Sequence, residues 1–256
     1  PGPLDHISVS PDPASVAAGG TLLFTATAYD QYGNILAGVQ FSWTADIGSV
    51  AGGLLTAQTS AGAGTVWATN GTVTGSAAVT IVPGPLDYIL VAPNPATVRV
   101  GESLLFEATG YDQYGNAITG LGFTWTTDVG AVSDGLLTAQ TVPGTGTVTV
   151  TSGSVSGSAN ITVQVGQLFQ IILIPDPLDI AAGTPQMFFP LAYDVYGNSI
   201  SGVGIVWATD VGTIDSAGLY LAQTVPGSGT VTATNGTVTG TASVNVIPGP
   251  LDHIIV

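Results

Sequence analysis

Residues 29–43 read YDQYGNILAGVQFSW, residues 111–125 read YDQYGNAITGLGFTW and residues 193–207 read YDVYGNSISGVGIVW, each starting 82 residues after the last. Every copy opens on Tyr-Asp, passes through Tyr-Gly-Asn and ends on a tryptophan: Trp43, Trp125 and Trp207. A fixed period of this kind marks a chain of like modules. Other landmarks keep it. PGPLDHI stands at Pro1, PGPLDYI at Pro83 and PGPLDHI at Pro248, with VGQLFQI in the same place at Val165, so the spacings are 82, 82 and 83. AQT recurs at Ala57, Ala139 and Ala222, and G-x-G-T-V at Gly62, Gly144 and Gly227. The extra residue of the third copy lies between Asp210 and Gln223. The expected division is 1–82, 83–164 and 165–247, with 248–256 as the first strand of a fourth unit.

Gly and Pro punctuate each unit every few residues, and the runs between them are rich in Val, Ile, Thr and aromatics. That pattern predicts many short strands and no helix. In the first unit strands are expected near Leu4–Ser10, Ser15–Ala17, Leu22–Tyr29, Val39–Thr44, Gly48–Val50, Leu54–Gln58, Thr65–Thr69 and Val73–Val82. Alternation puts Val66 and Ala68 on one face and Thr65, Trp67 and Thr69 on the other. Asn70-Gly71 and Asn235-Gly236, with Ser152-Gly153 between them in sequence, suit a type I′ hairpin turn. In YDxYGN the Asp can cap a turn, the Gly supplies a positive φ and the Asn tolerates one.

Each tryptophan falls on the third principal strand, where an immunoglobulin sandwich keeps its central buried Trp. The fold class is therefore all-β: tandem immunoglobulin-like β-sandwiches of seven to eight short strands each, in series. The chain has no cysteine, so Leu23, Phe24 and Phe41 must supply the bulk that a disulfide gives elsewhere. Truncating Trp125 to alanine is expected to cost about 3–5 kcal/mol. A unit of this size has a total stability of roughly 4–12 kcal/mol, so the change is expected to unfold the middle unit.

Composition excludes several functions. One Lys+Arg, Arg99, faces sixteen Asp+Glu, for a net charge of -15. No cationic surface exists to displace counterions from nucleic acid or to dock on anionic lipid. The longest strongly apolar runs, such as Ile171 to Ile174, are far shorter than the roughly 18–20 residues of a membrane span, so no direct membrane insertion is expected. Without Cys or Lys there are no thiolate metal sites, Schiff bases, isopeptide cross-links or P-loops. The chain starts at Pro1 with no visible signal peptide, which suggests a mature product or an excerpt of something longer.

No catalytic constellation emerges. His6 and His253 occupy one repeat position, filled by Tyr88 and Gln170 elsewhere. Glu102 and Glu107 occur in one unit, and no pair of carboxylates is singled out. No enzyme activity and no cofactor are expected. Calcium is the ion whose oxygen ligands the recurring aspartates would suit: Asp30, Asp112, Asp194 and Asp46, Asp128, Asp210. Their places at strand ends are equally explained by carboxylates accepting backbone N–H groups. Sequons at Asn70, Asn160 and Asn235 are candidate N-glycosylation sites. Trp67 is a candidate stacking platform, with Thr149 and Thr232 at its place in the other units.

As a set, the PGPLDxI opening, the P-x-P after the first strand, the YDxYGN turn, the Trp-x-x-Asp strand end and the G-x-G-T-V strand resemble the bacterial immunoglobulin-like repeats of the invasin and intimin type. The likeness covers essentially the whole chain. It implies β-sandwiches placed outside the cell, at its surface, in series with others. The third unit departs at its opening, with Gln167-Leu168-Phe169 where the others have Pro-Leu-Asp. The short joint Ile81-Val82-Pro83-Gly84-Pro85-Leu86 suits a semi-rigid link. The expected function is a non-enzymatic extracellular spacer in a surface layer, fibre or adhesin stalk. The alternatives are an adhesive module for carbohydrate or a host protein, and accessory repeats of a larger secreted enzyme. The expected partners are neighbouring repeats, and the chain itself as a homopolymer if the strand Pro248–Val256 is donated to another copy.

Overall fold

The structure, a computed structural model, describes residues 2–250. No helix occurs among the described residues. The first repeat holds β1 (Leu4–Ser10), β2 (Ala14–Ala17), β3 (Thr21–Leu23), β4 (Thr25–Asp30), β5 (Ser42–Ala45), β6 (Gly48–Ala51), β7 (Leu54–Ala57), β8 (Gly62–Asn70) and β9 (Val73–Val82). The middle repeat holds β10 (Tyr88–Ala92), β11 (Ala96–Arg99), β12 (Ser103–Leu105), β13 (Glu107–Tyr111), β14 (Ala117–Ile118), β15 (Thr124–Thr127), β16 (Gly130–Ser133), β17 (Leu136–Ala139), β18 (Gly144–Ser152) and β19 (Val155–Gln164). The third holds β20 (Gln170–Ile174), β21 (Leu178–Ala181), β22 (Pro185–Met187), β23 (Phe189–Tyr193), β24 (Val206–Thr209), β25 (Thr213–Ile214), β26 (Leu219–Leu221), β27 (Gly227–Asn235) and β28 (Val238–Ile247).

Each repeat forms the same three ladders. In the first they are β2-β9-β8-β5, β3-β7-β6 and β1-β4. The β2–β9 pair is parallel and the other strand pairs are antiparallel. Among the described residues no ladder joins one repeat to the next. The chain packs as two compact units: Pro1–Asn94 with Phe106–Thr126 and Val148–Ala159, and Pro95–Leu105 with Thr127–Thr147 and Asn160–Val256. The dividing line runs through the middle repeat, so each unit contains one joint between repeats.

The expected strand Leu22–Tyr29 is interrupted at Phe24. Residues before it pair with β7, and residues after it pair with β1. The Phe24 amide bonds the Gly53 carbonyl at 2.8 Å and its ring is 1% exposed. A strand that switches sheets at a corner turns its side chain inward there. Phe106 and Phe188 sit at the same corner of their repeats and are equally buried. Leu23, expected inside, is 58% exposed. The switch at Phe24 reverses which neighbour faces the core. The run expected from Val39 begins only at Ser42.

Phe24, Leu55, Val66, Val79 and Ile81 centre the first core, and Phe188, Leu173, Tyr220, Val231 and Val244 the third. Trp43 and Trp207 are half-buried and packed against these clusters rather than at their centres. Trp125 is half-buried as well. In β8 the alternation holds: Val66 and Ala68 are buried, and Thr65, Trp67 and Thr69 are half-buried on the other face.

The β8–β9 turn corrects the type I′ expectation. Asn70 pairs with Val73 as the last rung, so Gly71-Thr72 are the two loop residues. Gly71 has φ +62°, and Thr72 does not take a positive φ. One positive φ, at the first loop position, is the type II′ pattern. A β-branched residue such as Thr72 strongly disfavours the positive φ that type I′ needs at the second position. Gly153 and Gly236 repeat the arrangement at φ +59° and +58°.

The extra residue of the third repeat sits in the β25–β26 turn. The Asp215 carboxylate there accepts the Ala217 and Leu219 amides, both at 2.9 Å. Beside it, Tyr220 replaces Leu55 and Leu137 of the other repeats. Its ring is fully buried edge-on to Phe188 at 5.9 Å, and its hydroxyl has no hydrogen-bond partner. Burial, and then the Asp210 charge, push its pKa up. Leaving a buried hydroxyl unpaired costs about 1–3 kcal/mol. Tyr220→Phe is therefore expected to stabilise the third repeat by an amount in that range, read as a higher urea midpoint. An unchanged or lower midpoint would contradict it.

Candidate functional site: the YDxYGN loops and the repeat joints

Asp30, Asp112 and Asp194 are buried acids at the ends of β4, β13 and β23. Their burial is tolerated because each is filled with N–H donors. The Oδ1 atom of Asp30 accepts the Tyr32 amide at 3.0 Å and the Asn34 amide at 2.9 Å. Its Oδ2 atom accepts the Gly2 amide at 2.7 Å, and the Asn34 side-chain amide reaches both oxygens at 3.1 and 3.0 Å. Asp112 repeats the set with Tyr114, Asn116 and Gly84, and Asp194 with Tyr196, Asn198 and Gly166.

The carboxylate thus ties the opening of each repeat to its own loop. Gly166 donates to Asp194 at 2.8 Å, as Gly84 does to Asp112, although VGQLF replaces PGPLD. The contact uses a backbone amide, so the altered side chains leave it intact. The donors also set the charge state. The Asn34 side chain, then the Gly2 amide, hold Asp30 far below the usual carboxylate range against the pull of burial. At Asp112 and Asp194 burial is the largest influence and raises the pKa. The Asn side chain and three backbone amides together outweigh it and leave both groups at about 2.

The asparagine of the motif does not use a positive φ; the glycine does, with φ +81°, +83° and +83° at Gly33, Gly115 and Gly197. The asparagine instead reaches across the joint. The Asn116 side chain donates to the Thr59 carbonyl at 2.8 Å and accepts the Ala61 amide at 2.8 Å. Asn198 donates to the Thr141 carbonyl at 2.8 Å. Position 61 is matched by Pro143, which has no N–H to offer.

The tyrosine of the same loop lies over a glycine of the preceding repeat. A Cβ on Gly19 would fall 2.5 Å from the Tyr114 hydroxyl, and one on Gly101 would collide with that of Tyr196. Both glycines have positive φ, +69° and +71°. Sequence reasoning explained YDxYGN as a turn and missed this second role. The recurrence of Gly19 and Gly101 at the same distance from their loops was the available signal.

The second aspartate set caps a strand end. Asp46 accepts the Thr65 amide at 2.7 Å, Asp128 that of Thr147 at 2.7 Å, and Asp210 that of Thr230 at 2.5 Å. The two sets are thus engaged by backbone and amide N–H groups. No group of three or more His, Asp or Glu suited to a metal occurs among the described residues. Chelator is therefore expected to leave the melting temperature unchanged; a fall on adding EDTA would reveal a structural ion.

Of the sequon residues, Asn70 and Asn235 are half-buried, and their side chains donate to the Gln40 and Gly204 carbonyls at 2.8 and 2.7 Å. Asn160 is exposed on β19. His6 stacks on Tyr29 at 5.0 Å and contacts Asp5 at 3.0 Å, and Tyr88 stacks on Tyr111 at 5.2 Å in the next repeat. His253 and the end of the expected strand Pro248–Val256 lie outside the described residues, and residues 248–250 form no strand. Glu102 and Glu107 are both exposed. An open hollow beside β21 is lined in part by Pro177, Asp179 and Asn245. Its one carboxylate, Asp179, already accepts the Asn245 side chain at 2.9 Å.

Three like sets of ladders, a buried YDxYGN aspartate in each and loop-to-repeat contacts at the joints define a chain of tandem immunoglobulin-like sandwiches. This is the fold of the bacterial repeats of the invasin and intimin type. Among solved structures, that of FdeC, an Escherichia coli adhesin, superposes with a TM-score of 0.61 at 21% identity, covering 95% of this chain and 98% of that one. Invasin, a bacterial integrin-binding protein, gives a TM-score of 0.48 at 19% identity over 96% of this chain and 60% of its own. Ice-binding protein 1 of Shewanella frigidimarina is 28% identical over 177 residues, 66% of this chain. The chain spans 20% of that relative's length. No protein-family model matches the chain.

Proposed function

We propose that the chain is a non-enzymatic extracellular repeat segment that works as a semi-rigid spacer in a surface layer, fibre or adhesin stalk. The observation that carries this reading is the joint. The loop of one repeat is fixed by its buried aspartate and then bonded to the repeat before it, twice in the chain with the same residue types. A joint with its own hydrogen bonds resists bending more than a bare linker does, and in the first joint Pro83 and Pro85 restrict the linker further. The similarity to an E. coli adhesin in fold, and to part of a larger ice-binding protein in sequence, supports placement at or outside the cell surface. Protease shaving and antibody labelling of intact cells that make the full-length protein test it. Surface-accessible repeats are expected, and repeats protected until the cells are lysed would refute the reading.

A further inference from the structure

The third repeat carries an outer face unlike that of the other two. Ile172 and Ile174 on β20 stand opposite Leu191 and Phe189 on β23. Leu219 and Leu221 on β26 adjoin them. The Phe188 amide bonds the Gly218 carbonyl at 2.9 Å, and Met187 pairs with Leu219. Leu219 is therefore the diagonal neighbour of Phe189. Alternation turns all six away from the core, where Ile171, Leu173, Phe188, Ala192 and Tyr220 lie. The six are 37–57% exposed. At the places of Ile172, Ile174, Leu191 and Phe189 the first repeat has Ser8, Ser10, Thr27 and Thr25, and the middle repeat Leu90, Ala92, Thr109 and Glu107. Leu221 is matched by Thr56 and Thr138.

Neighbours in series do not cover this face. The middle repeat has one on each side, yet its Leu90, Glu107, Leu136 and Thr138 all stay exposed. A repeat following the third would leave the six open in the same way.

Area and charge select the occupant. Six side chains this exposed present roughly 500 Å², near the top of the range that a monomer leaves in water. Face to face, two copies remove about 1,000 Å², the least that a specific interface needs. In a chain of net charge -15, β20, β22, β23 and β26 contain no acidic or basic residue. A second copy of the face therefore meets the first without burying an unpaired charge.

We propose that two copies pair through this face, sheet on sheet, about a two-fold axis near Phe189. Ile174 and Leu191 flank Phe189 on one side and Leu219 on the other. Packed sheets keep their strands within about 30° of each other. The same patch serves both partners, so the contact closes as a dimer and does not propagate. Its small area places the dissociation constant above about 1 μM. The pairing goes beyond the spacer reading and does not depend on it, so a failed surface-labelling experiment would leave it standing.

Sedimentation equilibrium of the whole chain from about 1 μM to about 1 mM, in salt that screens the net charge, tests this. The mass of the unaltered chain should rise from 25.5 kDa to twice that value and level off. Phe189→Glu and Ile174→Ser each install what a sister repeat carries at that place, Glu107 and Ser10. Thermal melts check that both variants fold. Ile174→Ser should weaken pairing about tenfold. Phe189→Glu sets like charges together at the axis and should weaken it more than about a hundredfold. Leu90→Ser, on the matching face of the middle repeat, should leave it unchanged. A chain that stays monomeric over the whole range overturns the proposal and leaves the face to a different partner. So does a mass that climbs past the dimer. Pairing that survives Phe189→Glu, or that Leu90→Ser weakens as much, places the contact elsewhere and overturns it too.

Discussion

Phe24→Ala is expected to cost the first repeat about 3–5 kcal/mol, and Trp43→Ala distinctly less. Phe24 is 1% exposed and stands among Leu55, Val66, Val79 and Ile81, so truncation leaves a cavity walled by side chains on fixed strands. Trp43 is half-buried at the margin of that cluster. Its ring lies against Gly53, whose added Cβ would come 3.2 Å from it. Part of the space it vacates opens to solvent, so the transfer term shrinks and the cavity term nearly disappears. A repeat with a total stability of roughly 4–12 kcal/mol loses much of it in the first case. Urea unfolding followed by far-ultraviolet circular dichroism separates the two. Equal losses, or a larger one at Trp43, would mean that the core is centred on the tryptophan after all.

Acid is expected to unfold the array from about pH 4 downward. The sign follows from the buried aspartates. Asp112 and Asp194 titrate at about 2 in the folded chain, against an ordinary value of 3.8, and Asp30 lower still. As pH falls, the unfolded chain binds protons first, and each proton bound favours unfolding. The stability these groups contribute is complete above about pH 4 and is lost progressively as pH drops through about 2. Urea midpoints measured from neutral pH to about pH 2 should stay level and then fall. Asp112→Asn should lower the midpoint at neutral pH, because an amide group replaces an oxygen facing the Gly84 amide. It should also flatten the acid limb. A midpoint that rises on acidification, or an acid limb unchanged in the variant, would contradict this account.

Period and residue type carried most of the architecture. Repeated landmarks anticipated three like sets of ladders, and alternation in β8 assigned its faces. Where the reading failed, tertiary structure decided. Leu22–Tyr29 is one apolar run in sequence, and nothing local says that it changes sheets at Phe24. The choice depends on which partner strand each half meets. The hairpin turn was misassigned because the Asn-Gly dipeptide was read as its centre. The register places Asn70 on the last rung and gives the loop to Gly71-Thr72. Each joint was legible only as a short link, proline-bearing in the first case alone. The hydrogen bonds run from Asn116 to Thr59 and from Asn198 to Thr141, each pair 57 residues apart, and no local pattern reports a contact at that separation. The buried state of Asp30, Asp112 and Asp194 was likewise hidden. A strand-end aspartate is usually solvated, and only the convergence of donors from Gly2, Gly84 and Gly166 encloses these.

The central claim is that neighbouring repeats are held by the YDxYGN clasp rather than merely strung together. Nitrogen-15 relaxation of the whole chain measures it directly, because it reports how fast each repeat tumbles. Amides across each joint should share one slow correlation time. Gly19→Asn and Gly101→Asn, which wedge a side chain under Tyr114 and Tyr196, should release the repeats to tumble faster while leaving each folded. Fast, independent tumbling of every repeat in the unaltered chain would contradict the claim outright.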